Sequence, residues 1–183
     1  MSSLKVDTAA GSFSVRLHDD RAPRTCRYFC QLAHDGGLDR GEIFRVTTDE
    51  NRSRSDIPAI NVVQFGTRRG LDEERSQIVH ESTLQTGLRH RRFTVSASRF
   101  APGEVYGSFF ICMRDEPELD FGGARHSDGQ GYAAFGDVDD GSDVLERIFA
   151  KADTEEIMRV PIRIHSIKAS LVAEQVQNGR GAK

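Results

Sequence analysis

In this 183-residue chain the side chains best suited to acid, base or metal chemistry are scattered. His80 beside Glu81, His90, Asp120, and His126 close to Asp128 supply donors and acceptors. Their spacing fits neither HExxH nor any Cys/His ligand pattern, so no metal site is expected. A GxSxG nucleophile elbow and a phosphate-cradling glycine loop are both missing from the sequence, and no cofactor is expected. Cys26, Cys30 and Cys112 are an odd set. A disulfide between Cys26 and Cys30 would be strained within one helix, and no second cysteine pair completes a zinc site. The three read as reduced thiols packed as small hydrophobes. Such a chain can act only through groups that its fold brings together.

Composition narrows the setting. Hydrophobic residues make up 37% and charged residues 29%, which suits a folded globular domain and argues against a long disordered chain. The length predicts one domain over 1–172, followed by a polar tail over 173–183. A net charge of -3 gives no reason to expect nucleic acid as a partner. The basic runs RSRS (52–55), TRRG (67–70) and RHRR (89–92) are short and read as solvated loops. The first residues carry neither a signal-peptide pattern nor a bilayer-spanning run, so no membrane is expected and the cytoplasm is the default location.

Periodicity places the elements. SLKVDTAAGSFSVRLH alternates on both sides of Ala10-Gly11, as a half-buried hairpin does. Ala22, Cys26, Phe29, Cys30 and Ala33 then recur at helical spacing, with Pro23 in the first turn and Gly36-Gly37 as the stop. Strands are expected in 42–48, 59–66, 92–100, 108–113, YAAFGDV and VPIRIHSIKASL, with APGEVYG and 114–131 as loops. The 114–131 loop reads as a mobile insertion, with a part in substrate choice as its alternative. DGSDVLERIFAKA is a second helix with Ser142 as its N-cap. Seven or eight short strands and two helices, without βα alternation, predict an all-β fold: a closed antiparallel barrel whose mouths the helices plug.

In that order, APRTCRYFCQLAHDGG, IFR, VVQFG, FTVSAS, GSFFICM, ELD, AAFGDVDDGSDVLERI and PIRIHSI resemble the cyclophilin family of peptidyl-prolyl cis/trans isomerases, over about residues 3 to 169. The resemblance implies an eight-stranded antiparallel β-barrel closed by two α-helices, with a proline-binding groove on its outer face. It puts the catalytic arginine at Arg45, the groove glutamine at Gln64 and the pocket phenylalanine at Phe110. Other groove positions fall on Asn61, Val62, Ser98, Arg99, Ser108, Leu119 and Tyr132. Several of these depart from the family pattern: Asn61 and Val62 replace phenylalanine and methionine, Arg99 replaces asparagine, Ser108 a glutamine and Tyr132 a histidine. The implied partners are proline-containing peptides or unfolded proteins, met by a monomer.

The chemistry such a groove performs needs no nucleophile, metal or proton transfer. At the twisted transition state of an Xaa-Pro bond the imide nitrogen leaves conjugation and accepts a hydrogen bond, and a guanidinium can donate it. Phe110 would floor the ring pocket, since alternation turns it outward if Phe109 faces the core. Gln64 would orient Arg45 and bond the peptide backbone. Losing roughly 50 Å² of apolar contact at positions 61 and 62 would weaken proline binding by about 1 kcal/mol. Two alternatives stand beside an active isomerase: a peptide-binding module with impaired turnover, and a groove filled by the protein's own Phe100.

Overall fold

The computed structural model describes residues 2–39, 41–67 and 75–171. The polar tail over 173–183 and most of the TRRG run lie outside the described residues. The opening hairpin forms as its alternation requires: Leu4 and Val6 of β1 (Ser2–Thr8) are buried while Lys5 is exposed, and β2 (Gly11–Leu17) returns in register. The remaining elements are α1 (Pro23–His34), β3 (Glu42–Thr47), β4 (Val62–Gly66), β5 (Ser76–Gln77), α2 (Thr83–Thr86), β6 (Thr94–Arg99), β7 (Glu104–Cys112), β8 (Ala134–Asp140), α3 (Ser142–Phe149) and β9 (Ile157–Leu171).

Eight of the strands close into one antiparallel barrel in the order β4, β3, β9, β1, β2, β8, β6, β7, with β7 pairing back onto β4. The short β5 pairs with the start of β7. Closure removes the open sheet edges that would otherwise invite pairing with other chains. The interior is built from rings: Phe65 stacks on Phe109 at 5.2 Å, Phe29 of α1 stacks on Phe135 at 4.6 Å, and Phe13 meets Phe65 edge-on. α1 adds Cys26, Phe29 and Ala33 to this core, and α3 adds Val144, Leu145 and Ile148.

Two local expectations need correction, and a helical turn joins the two expected helices. Glu104, Val105 and Tyr106 extend β7, although the surrounding APGEVYG reads as a loop; only Ala101 to Gly103 turn, with Gly103 at a φ of +78°. Ser142 is the first helical residue of α3, and the N-cap is Gly141, whose φ of +76° lets the chain turn into the helix. The charged stretch before β6 also holds a single helical turn, α2, which is introduced by a Ser82–Gln85 capping box.

The contact between β4 and β7 both closes the barrel and aligns the groove residues. Gly66 leaves no room for a side chain against β7: its φ is +132°, and a Cβ there would lie 2.1 Å from the carbonyl oxygen of Gly107. Gly66→Ala combines an unfavourable φ with a backbone clash, and is expected to lower stability by about 3 kcal/mol. Urea unfolding measures this as a fall in midpoint at unchanged slope. A loss under about 1 kcal/mol would show that these strands separate there without weakening the barrel.

Candidate active site

Strand register assembles the site. In the β4–β7 pair Phe65 opposes Phe109 and Gln64 opposes Phe110. The first pair belongs to the barrel core, so alternation sends the second to the outer wall. On either side Gln64 pairs with Arg45 of β3, and Phe110 pairs with Ser96 of β6. One row of cross-strand neighbours thus runs Arg45, Gln64, Phe110, Ser96. Beneath it lies a satellite cluster outside the barrel core, made of Ile60, Val62, Phe110, Cys112 and Leu119 with Tyr132 packed against it.

Arg45 reaches this row because β3 carries a bulge. Ile43 opposes Phe65, yet Arg45, two residues on, opposes Gln64, one residue back. Ile43 and Val46 both enter the core, three positions apart, and the extra residue between them turns Arg45 outward.

The guanidinium is fixed from two directions. Its Nε and Nη2 donate to Oε2 of Glu156, at 2.9 and 2.5 Å, and Nη1 donates to Oε1 of Gln64 at 3.2 Å. Glu156 is buried and is itself held: its Oε1 accepts from the backbone N–H of Ser53 at 2.8 Å and from the Ser53 hydroxyl at 3.0 Å. Burial by itself would raise the Glu156 pKa, but the Ser53 N–H and the Arg45 charge outweigh it and keep the carboxylate below its ordinary range.

Gln64 is oriented by the chemistry of its neighbours. Arginine offers only donors, so the amide oxygen must face Arg45. The amide nitrogen lies within 3.1 Å of the hydroxyls of Ser98, Tyr106 and Ser108, all buried. Ser108 in turn donates to the carbonyl oxygen of Phe65 at 2.8 Å.

Behind Phe110 lies a second buried polar set. His90 stacks at 6.2 Å from the Phe110 ring, with Nδ1 2.8 Å from Asp120 and Nε2 2.9 Å from the Ser96 hydroxyl. The order Ser, His, Asp resembles a hydrolytic triad, but Ser96 and the His90 ring have no exposed surface from which to attack a substrate. Burial lowers the His90 pKa in spite of Asp120. The set therefore buttresses Phe110 with a neutral ring whose nitrogens are both satisfied.

The row borders a cavity of about 80 Å³, lined by Arg45, Ile60, Val62, Gln64, Ser98, Arg99, Tyr106, Phe110, Leu119, Arg125 and Tyr132. Phe110, Tyr106 and Tyr132 supply aromatic walls, with Phe110 and Tyr132 edge to face at 5.5 Å. Phe100 does not enter the cavity: its ring packs 5.0 Å from Tyr106 and lies under the Arg75 guanidinium. Of the residues expected at the groove, Arg45, Val62, Gln64, Ser98, Arg99, Phe110, Leu119 and Tyr132 meet there. Asn61 and Ser108 do not line it. Asn61 turns toward Asp49 and Glu116, and Ser108 supports Gln64 from behind.

Four lining or anchoring residues were not foreseen: Ile60, Tyr106, Arg125 and Glu156. Tyr106 was readable in principle, lying an even number of residues before Phe110 on what proves to be one strand. Glu156 carries no sequence signal, because only the folded chain brings the turn before β9 to Arg45 through the Val46 N–H to Glu156 carbonyl bond. Arg125 comes from the 114–131 segment, which is tied to the barrel by several contacts although its composition reads as a mobile insertion. Arg114 pairs with Asp49 and Glu116, a 3-10 turn at Pro117–Leu119 buries Leu119, and Arg99 grips Asp128 with two bonds of 2.8 Å. Among the described residues no group of His, Cys, Asp and Glu could hold a metal.

A closed antiparallel barrel with an anchored arginine beside an aromatic cavity on its outer wall is a cyclophilin-type architecture. The profile of the family described as "Cyclophilin type peptidyl-prolyl cis-trans isomerase/CLD" matches residues 3–169, and the chain belongs to that family. It is 30% identical over 173 residues to a peptidyl-prolyl cis-trans isomerase-like 1 of Aspergillus fumigatus, covering 92% of this chain and 94% of that one. Over 149 residues it is 27% identical to peptidyl-prolyl cis-trans isomerase cyp18 of Streptomyces antibioticus, covering 81% and 83% of the two chains. A crystal structure of a Cryptosporidium parvum cyclophilin, obtained in the presence of the dipeptide Ala-Pro, superposes with a TM-score of 0.71 at 18% identity, covering 93% of this chain and 99% of that one. With the family comes its class of activity, cis/trans isomerisation of Xaa-Pro bonds.

The clamp between Arg99 and Asp128 gives a pH prediction. The Arg99 hydrogen bonds hold the Asp128 pKa down at about 2. A depressed carboxylate contributes its stabilisation fully above its unfolded value, near 4, and loses it as pH falls toward about 2. The protection of the Gly131 and Tyr132 amides, taken against their intrinsic exchange rates at each pH, is therefore expected to fall across that window, and Asp128→Asn should reproduce the loss at pH 7. Unchanged exchange in Asp128→Asn would mean the loop is held by its other contacts.

Proposed function

We propose that Arg45 is the catalytic group of this isomerase and that the cavity beside it receives the proline ring. The observation that carries the reading is the donor arithmetic of the guanidinium. Of its five N–H groups, Glu156 and Gln64 take three. One N–H remains on each Nη, held in a fixed plane at the cavity.

Rotation about an Xaa-Pro bond is opposed by a barrier near 20 kcal/mol because amide conjugation must be lost. The planar imide nitrogen is a poor acceptor and the twisted one a good acceptor. A donor already in place therefore binds the transition state better than the ground state, which is the condition for catalysis. The two anchors mean that little of the arginine's freedom has to be frozen at that moment. Phe110 and Val62 supply the apolar contact for the ring, with Tyr106 and Tyr132 at the sides. A solved relative crystallised in the presence of Ala-Pro supports a proline-containing ligand for this groove, and proline-bearing peptides or unfolded chains are the substrates it would meet.

One observation favours a second reading, a binding module with little turnover. Glu156 neutralises the charge that would otherwise strengthen donation to the imide nitrogen, and narrower contact at Val62 weakens the hold on the ring. A protease-coupled assay on short Xaa-Pro peptides separates the two. Catalysis by Arg45 predicts that Arg45→Ala lowers kcat/KM about a hundredfold, the usual cost of removing a transition-state donor. Peptide binding at wild-type strength without turnover, and unaltered by Arg45→Ala, would establish the module instead.

A further inference from the structure

Three arginines line the cavity, and they are not equivalent. Arg45 has Glu156 as its carboxylate, and Arg99 has Asp128. Arg125 has none within ion-pair distance among the described residues. Its Nη1 donates to the carbonyl oxygen of Pro58 at 2.7 Å, a bond that holds the guanidinium but leaves its charge uncompensated. Counting the lining arginines and their two carboxylates leaves one net positive charge at the cavity wall. Burial first, and then the nearby charge of Arg45, lower the Arg125 pKa, against the opposing influence of Tyr132 and Glu156.

We propose that Arg125 selects substrates bearing a carboxylate on the residue immediately before the proline. The inference rests on the proline ring occupying this cavity and Arg45 facing the imide nitrogen. That nitrogen bonds directly to the preceding residue, so the Arg45 side of the cavity is where the preceding side chain lies. Arg125 lines the same 80 Å³ space and lies close enough to Arg45 to feel its charge, so a side chain entering on the Arg45 side would meet it. The remaining guanidinium N–H groups of Arg125 can form a charge-assisted pair with an Asp or Glu carboxylate. A lysine at that position would meet two guanidinium groups and be disfavoured.

The test is a kinetic series on otherwise identical peptides with Glu, Gln, Ala or Lys before proline, at low and high salt. The expected result for the wild-type protein is a kcat/KM about fivefold higher for Glu-Pro than for Gln-Pro, with Lys-Pro lowest and the Glu preference shrinking in salt. Arg125→Gln should bring the Glu to Gln ratio near one, and Arg125→Lys should retain a preference. A ratio near one in the wild-type protein, with normal turnover of all four peptides, overturns the specificity while leaving the isomerase reading intact. Should no peptide be turned over, the catalytic reading fails by itself. NMR titration of the same peptides then decides: tighter binding of Glu-Pro that is lost in Arg125→Gln supports the assignment, and equal binding of Glu-Pro and Gln-Pro overturns it.

Discussion

Everything at this site depends on a guanidinium that keeps one orientation while partly removed from water. A long arginine side chain has many rotamers, and a donor that wanders gives little preference to a transition state. Glu156 resolves the problem by sharing the burial: an arginine left without it would be an uncompensated charge against an apolar wall, and so would the carboxylate without the arginine. The Ser53 N–H and hydroxyl satisfy the other carboxylate oxygen, so the pair is anchored to the backbone and not merely to itself. The cost is partial neutralisation, which sets positional accuracy against donor strength.

The groove is a by-product of barrel closure. Pairing β7 with β4 completes the ring of strands, and the same register that puts Phe65 against Phe109 inside puts Gln64 against Phe110 outside. The inner pair supplies folding energy and the outer pair supplies the site, so neither can slip without the other. This explains why the outer wall carries its own hydrophobic cluster around Phe110, and why a buried His90, Asp120 and Ser96 set stands behind that ring.

What could be read from the residues was what alternation and ordering encode. The hairpin around Ala10-Gly11, the helix with its Pro23 start, the closed antiparallel barrel and the outward turn of Phe110 all follow from periodicity of two or of 3.6. Arg45, Gln64 and Phe110 came from family resemblance, and the fold does bring them together. Glu156 and Arg125 were illegible for a physical reason: each reaches the site from a loop, over more than 60 positions from Gln64, and loops carry no period. Tyr106 was lost through composition, because Pro102, Gly103 and Gly107 around it read as turn residues while the backbone pairs through Gly107 regardless. The 114–131 segment reads as loose for the same reason: its glycines and aspartates carry no period, and the contacts of Arg99, Arg114 and Leu119 that pin it exist only in the folded chain.

The bulge in β3 makes the arginine's direction a matter of counting. In an unbroken ladder from Ile43 and Phe65, Phe44 would stand over Gln64 and the guanidinium would point among the apolar side chains of the barrel's interior. Removing Phe44 would restore a regular ladder with Arg45 still opposite Gln64, whereas keeping the residue and losing the bulge would turn the guanidinium inward. For this barrel the length of chain between Ile43 and Val46 and the bulge that absorbs it have to change together.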